Sequence, residues 1–298
     1  MKVLCYDIGG TDIKYGIVED GNLIEKASVR TDAALGQQAL ILRLVHTTRE
    51  MLKKHEVEGV GVSCAGSINI ETGTVIAAPE HIKEFLGLNF KQIFKDNFNL
   101  ECFADNDVNC FAIAEGESGA AKKMSTYLTM TIGTGIGGGI VIRRQIWRGS
   151  FYNGAEFGRM FITDKKFEAI CSTASLVRAA RKAGLSVNNG VEVFEIYDDK
   201  NHEKNALAVK IVKEFYQSLA YGIANLFYIF DPEAIIIGGG ISNRKRLAQE
   251  IRQELKKILD PAFFRNAVLL NAEHANDGGM LGAYYNFVKA YAKPESEN

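Results

Sequence analysis

The sequence predicts an α/β protein built from two related halves, and three observations carry that expectation. Two glycine-broken β-hairpins, near residues 2–18 and 127–142, repeat one layout with weak residue identity, which reads as an internal duplication. Between and after them, short β-rich apolar runs alternate with stretches of helical spacing. No long Pro/Ser linker separates the halves, so two domains would meet at a cleft with short hinges.

The elements follow in order. Lys2 to Ile8 is rich in β-formers, Gly9-Gly10 breaks it, Ile13 to Val18 resumes, and Asp20-Gly21 is a hairpin signal before Asn22 to Arg30. Ala34 to His55 has helical spacing through Leu35, Leu42, Val45, Met51 and Leu52. Gly59 to Ser63 reads as a short buried strand, Ile82 to Phe98 as helical around Ile93 and Phe94, Cys102 to Ala104 as a strand, and Phe111 to Gly119 as a helix. In the second half Tyr127 to Ile132 is a strand, Gly133 to Gly139 its turn, and Ile140 to Ile142 the return. Ser175 to Ala183 and Asn205 to Phe230 are helical. Ala234 to Ile237 is a strand, Asn243 to Leu259 a helix, Val268 to Leu270 a last strand, and Gly279 to Tyr291 the closing helix. The polar tail from Lys293 to Asn298 is expected to fray.

Composition narrows the function classes. With 298 residues, 47% of them hydrophobic and 24% charged, the chain can bury a sizeable core. A formal net charge of −1 without a Lys/Arg block argues against a nucleic-acid or membrane-surface partner. Cys5, Cys64, Cys102, Cys110 and Cys171 are scattered and odd in number, with no C-x-x-C pair, so a reducing cytoplasm is expected rather than a disulfide framework. There is no signal-peptide pattern and no run long enough to span a bilayer.

Five motifs have chemistry in them. In Asp7-Ile8-Gly9-Gly10-Thr11 the glycines let backbone N–H groups approach a phosphate, and the carboxylate could hold Mg²⁺ through water. A plain hairpin turn explains that motif equally well by itself. Thr131-Ile132-Gly133-Thr134-Gly135-Ile136-Gly137-Gly138-Gly139 has five glycines in seven positions, more than a turn requires, and reads as a second phosphate loop with hydroxyl donors at Thr131 and Thr134. Gly238-Gly239-Gly240 follows three isoleucines; a dinucleotide fingerprint fails at Asn243, and packing of a base or ribose on bare glycines stands beside a simple helix-entry turn. Ala104-Asp105-Asn106-Asp107-Val108-Asn109 puts two carboxylates and two amides at a strand-to-helix junction, where helix capping accounts for one Asp but not for all four. Gly154-Ala155-Glu156-Phe157-Gly158, with Glu168 twelve residues after Glu156, offers two acceptors for sugar hydroxyls. Alone it is weak, because most glutamates are solvated.

Taken in this order, the motifs resemble the ROK family of sugar kinases and sugar-responsive repressors, within the actin-like, hexokinase-like ATPase superfamily. The resemblance covers nearly the whole chain and implies two actin-like (ribonuclease H-like) domains with a cleft between them. Residues 1–108 would form the smaller one, completed by the helix at about 284–298, and residues 109–283 the larger. By resemblance, Asp7, Gly9, Gly10 and Thr11 match the first phosphate loop, and Thr131, Gly133, Thr134, Gly135, Gly137 and Gly138 the second, with Gly239 and Gly240 contacting the nucleoside. Asn106-Asp107 matches the family's Asn-Asp pair, with Asp107 as general base. Glu156 and Glu168 match the sugar-binding glutamates, and Ala65-Gly66 the Pro-Gly before the sugar loop. The family's zinc-binding His is Arg159 here, and the stretch from Met160 to Phe167 has no cysteine, so no structural zinc is expected. That pattern resembles the zinc-free bacterial β-glucoside kinases.

The resemblance therefore implies an ATP- and Mg²⁺-dependent phosphoryl transfer to a hexose or β-glucoside hydroxyl, O6, in a cytoplasmic homodimer, with a small-molecule sugar as substrate. Glucokinase, fructokinase and N-acetylmannosamine kinase activities are alternatives within the family. A sugar-responsive regulator is the alternative of another class; the phosphate-loop strand at Lys2 leaves no room before it for a helix-turn-helix, and Asp107 favours a kinase. A dinucleotide oxidoreductase is disfavoured by the failed fingerprint.

Overall fold

The computed structural model describes residues 1–292; residues 293–298, the expected tail and the end of the expected closing element, lie outside the described residues. The chain divides into two compact units. The first comprises Met1–Gly119, Arg148–Gly154 and the described residues from Asp277 onward; the second comprises Ala120–Trp147 and Ala155–Asn276. The first unit thus runs beyond residue 108, takes in a short segment at 148–154, and begins its C-terminal part earlier than residue 284.

In the first unit, β1 (Lys2–Ile8), β2 (Asp12–Glu19) and β3 (Asn22–Arg30) form an antiparallel meander, after which α1 (Gly36–Leu52) crosses to β4 (Gly59–Cys64). A small hairpin, β5 (Ser67–Asn69) and β6 (Thr74–Ala77), then α2 (Phe90–Phe98), lead to β7 (Cys102–Asn106) and α3 (Asp107–Glu117). The five-stranded sheet has the order β3-β2-β1-β4-β7, with β4 and β7 parallel to β1. Its central parallel strands β1 and β4 are buried on both faces, as parallel strands under helices should be, whereas the edge strand β3 is largely exposed. One face packs Leu4, Tyr6, Ile8, Leu40, Leu44, Val60, Val62 and Phe94; the other packs Val3 and Cys5 against Met280, Tyr284 and Phe287 of the closing helix α10 (Gly278–Tyr291). Alternation along β1 sends its side chains to both faces.

The second unit repeats that order. Strands β8 (Tyr127–Ile132), β9 (Ile136–Ile142) and β10 (Gln145–Ile146) form the meander, and β13 (Ala234–Gly238) and β14 (Leu269–Asn271) the parallel part, giving β10-β9-β8-β13-β14. The inserted two-stranded β11 (Phe161–Ile162) and β12 (Lys165–Lys166), with helices α4 (Phe167–Cys171), α5 (Thr173–Lys182) and α6 (Gly190–Asp198), precede the long α7 (Asn205–Phe230). Helices α8 (Leu247–Leu255) and α9 (Pro261–Asn266) stand between β13 and β14. The core gathers Leu128, Met130 and Ile140 with Val212, Leu219 and Ile223 from α7 and Ile235 and Ile237 from β13.

Several sequence expectations are corrected. The expected helix at 82–98 is two pieces. Residues 86–88 lie alongside Val75, which donates to Leu88 O while Gly87 N donates to Val75 O, so only 90–98 continues as α2. The expected turn at 133–139 shrinks to 133–135, because Gly137, Gly138 and Gly139 pair with Thr131, Met130 and Thr129 inside the β8–β9 ladder. The expected helix at 243–259 begins at Leu247, after a 3₁₀ turn at Gly240–Asn243 and an extended Arg244. Helix α3 begins at Asp107, four residues before its expected start, because the Asn106 side chain accepts from Val108 N and Asn109 N and caps it there.

Candidate active site

In the first unit the parallel strands β1, β4 and β7 end at one edge, and register decides what meets there. Asp7 pairs with Ser63 across β4 and with Lys14 across β2, while Cys64 pairs with Asn106. Cross-strand neighbours point the same way. Ser63 Oγ accordingly donates to Asp7 Oδ1 at 2.8 Å, and Lys14 Nζ to Asp7 Oδ2 at 3.4 Å. The first turn of α10 lies against the same carboxylate: a side chain at Gly279 would begin 2.5 Å from Asp7. Gly9 and Gly10 are half-buried and Thr11 is exposed in the turn that follows, where Gly9 N donates to Asp12 O.

The strand-to-helix junction orders the polar run that the sequence singles out. Asn106 Nδ2 donates to Gly66 O and to Asp107 Oδ1, both at 2.9 Å, and Val108 N also donates to Asp107 Oδ1 at 2.9 Å. Gly66 is thus tied to the Asn106–Asp107 pair by its carbonyl. Burial, and next the nearby negative charge of Asp7, push the Asp107 carboxyl up to about 6 against the hydrogen bonds that favour its ionised form. Electrostatic coupling to Asp7 places the two carboxylates in one neighbourhood.

Asp105 turns the other way and is 1% exposed. Arg148 Nε and Nη2 donate to its Oδ2 at 3.0 and 2.6 Å, and Asn286 Nδ2 adds a bond of 3.2 Å. Its Oδ1 accepts from Asn106 N at 2.8 Å and Asn109 Nδ2 at 3.1 Å. Sequence reasoning missed Ser63, Arg148 and Asn286. One signal was present for Arg148: a carboxylate buried at a strand end demands a cation. Which cation, 43 residues away, was not legible.

In the second unit Gly133 to Gly135 form the turn, with Gly133 N donating to Gly135 O at 3.0 Å, and Thr134 is exposed at its tip. Thr131 pairs with Gly137 on one side and Gly238 on the other. Gly239, at φ +82°, backs onto Ile132, and any side chain there would strike the Ile132 backbone. The second and third glycine motifs therefore adjoin, with Gly240 exposed beside them. Ala174 N, in the first turn of α5, donates to Gly133 O at 3.4 Å.

The two glutamates differ in setting. Glu168, in the first turn of α4, lies against the glycine turn: a side chain at Gly135 would begin 2.8 Å from Glu168 Oε2, and one at Gly158 3.0 Å from it. Glu156 is exposed and accepts from Arg159 Nε at 2.9 Å. Arg159, standing where zinc-bearing relatives would have His, is therefore the Glu156 counterion. Among the described residues no group of three His, Cys, Asp or Glu side chains is placed to hold a metal, and the five cysteines are buried and free. No described helix is long and apolar enough to cross a membrane.

Two sheets of the same mixed order, each carrying a glycine turn between its first two strands, define an actin-like α/β protein. The chain belongs to the ROK family, whose model matches residues 3–290. It is 32% identical over 301 residues to a β-glucoside kinase of Listeria monocytogenes, covering 97% of this chain and 98% of that protein. A solved Listeria monocytogenes protein described as a candidate N-acetylmannosamine kinase is 30% identical, with a TM-score of 0.85 over 97% of this chain and 99% of that one. A ROK glucokinase from Streptomyces griseus, solved with glucose and AMPPNP, is 25% identical, with a TM-score of 0.81 over 95% and 98% of the two chains.

Proposed function

We propose that the protein is an ATP-dependent sugar kinase that transfers the γ-phosphoryl group to a hexose or β-glucoside hydroxyl, O6, with Asp107 as general base. The observation that carries this reading is the Asn106–Asp107 junction. Asn106 and Val108 engage one oxygen of the Asp107 carboxylate, and its affinity for protons is raised to about 6. A base with that pKa is ionised at neutral pH yet holds a proton better than an ordinary aspartate, which suits abstraction of a hydroxyl proton.

The remaining roles follow from chemistry. The turns at Gly9-Gly10-Thr11 and Gly133-Thr134-Gly135, with Thr131, Gly137 and Gly138 shaping the second, present backbone N–H groups to phosphates. Gly239 and Gly240 leave a bare surface for the nucleoside. Glu156 and Glu168 accept from sugar hydroxyls, with Asn106 and Gly66 holding the sugar loop beside Asp107. Asp7 would hold Mg²⁺ through water, and a single carboxylate completed by water and phosphate oxygens is a donor set that suits Mg²⁺. When bound, the ion neutralises phosphate charge; everything else is positioning and electrostatics by the chain. The similarity to β-glucoside kinases tilts the substrate toward β-glucosides.

A coupled ATP-consumption screen over glucose, mannose, fructose, N-acetylmannosamine and β-glucosides such as cellobiose tests the reading. Magnesium-dependent turnover with at least one of them is expected, with the phosphate on O6. Tight sugar binding without ATP consumption would overturn it in favour of a sugar-responsive regulator.

A further inference from the structure

The first unit contains a second polar assembly, behind the Asn106–Asp107 pair. Five donors converge on Asp105: two from Arg148, one each from Asn286 and Asn109, and the backbone N–H of Asn106. Arg148 is itself only 16% exposed and also reaches Asn286 Oδ1 at 3.4 Å. Such a buried pair is poor evidence for net stability, because desolvating both charges offsets much of their attraction. What the arrangement does is geometric. The two Asp105 oxygens have divided tasks: Oδ2 takes the guanidinium, and Oδ1 holds the residue before Asp107 and the side chain two residues after it. Both Arg148 donors converge on Oδ2 and anchor that oxygen, which leaves Oδ1 directed at Asn106 N and Asn109 Nδ2.

The segment that carries Arg148 is held at its other end as well. Ser67 Oγ donates to Asn153 Oδ1 at 2.6 Å, and Ser67 follows Gly66, whose carbonyl takes the Asn106 amide. Residues 148–154 are thus pinned at both ends to positions that flank the Asn106–Asp107 pair.

We propose that Arg148 is a positioning residue for phosphoryl transfer: acting through Asp105, it fixes the Asn106–Asp107 pair in its reactive geometry. The inference rests on the assignment of Asp107 as base. Small displacements of a reacting group cost up to about a hundredfold in rate. Arg148→Met is therefore expected to lower kcat on the order of tenfold to a hundredfold, while the KM for ATP and the sugar affinity by calorimetry stay within about twofold. Arg148→Lys keeps the charge but not the fork, and should recover part of the loss. Turnover is normalised to folded protein at the assay temperature. If Arg148→Met does not fold, the comparison of Arg148→Lys with the native protein carries the test.

A merely structural Arg148 predicts a lower melting temperature with wild-type kcat per folded molecule, and that result overturns the proposal. A raised sugar KM with unchanged kcat overturns it too. Asp107→Asn measured in parallel separates the two levels. An inactive Asp107→Asn beside Arg148 variants of native kcat refutes the positioning role alone. Near-native turnover of Asp107→Asn refutes the base assignment and this inference with it.

Discussion

Replacing Asp107 by Asn should abolish turnover and at the same time raise thermal stability. Burial is the larger cause and Asp7 the next in lifting the Asp107 carboxyl from 3.8 to about 6. A folded-state pKa above the unfolded one means that the fold disfavours the ionised form. The cost to stability is absent below the unfolded value, accumulates as pH rises from there, and is complete above about 6. Roughly two pKa units at 1.36 kcal/mol each is on the order of 3 kcal/mol. Because the side chain is only half-buried, solvent screening brings this to about 1–2 kcal/mol. An asparagine carries no charge, and its carbonyl can still accept from Asn106 Nδ2 and Val108 N. Scanning calorimetry at pH 7.5 should therefore show Asp107→Asn melting roughly 2–6 °C above the native protein. The gap should be about halved at pH 5 and gone near pH 3.8. The native kcat should fall as pH drops through about 6, because the base becomes protonated. A variant that melts at or below the native temperature at pH 7.5 would refute the electrostatic reasoning, whatever its activity.

Three further outcomes are expected. Gly282→Ala should destabilise the first unit by about 3 kcal/mol or more, read by denaturant unfolding, because its Cβ would fall inside the Cys110 backbone where α10 crosses α3. Glu168→Gln and Glu156→Gln should each weaken sugar binding by calorimetry on the order of tenfold to a hundredfold, through roughly 1–3 kcal/mol of lost or unmatched hydrogen bonding. A loss of stability with unchanged sugar affinity would make Glu168 a helix-terminus residue. Elemental analysis should find no stoichiometric zinc, since Arg159 is engaged with Glu156 and the five cysteines are buried and unclustered.

Which chemistry the chain can present is legible in its residues. Glycine clusters, the Asp105–Asn109 run and the period of the apolar residues are local signals, and local backbone preference is enough to place a β-hairpin at residue 9, though not the start of α3, which the Asn106 cap sets four residues before the expected Phe111. Local signals also failed in a consistent way. Gly137 to Gly139 read as turn residues, but β8 pairs with all three and its ladder keeps them extended. The apparent helix at 82–98 yielded to pairing with Val75, a contact the helical period does not encode. The company each charge keeps came from packing and register instead. Parallel register set Ser63 beside Asp7, and packing brought Arg148 and Asn286 onto Asp105 from 43 and 181 residues away. The physical reason is that a buried carboxylate requires donors but does not specify their place in the chain. Any Arg and Asn that the folded surfaces carry to the right side of β7 would serve, and only the packed sheets and helices select these two.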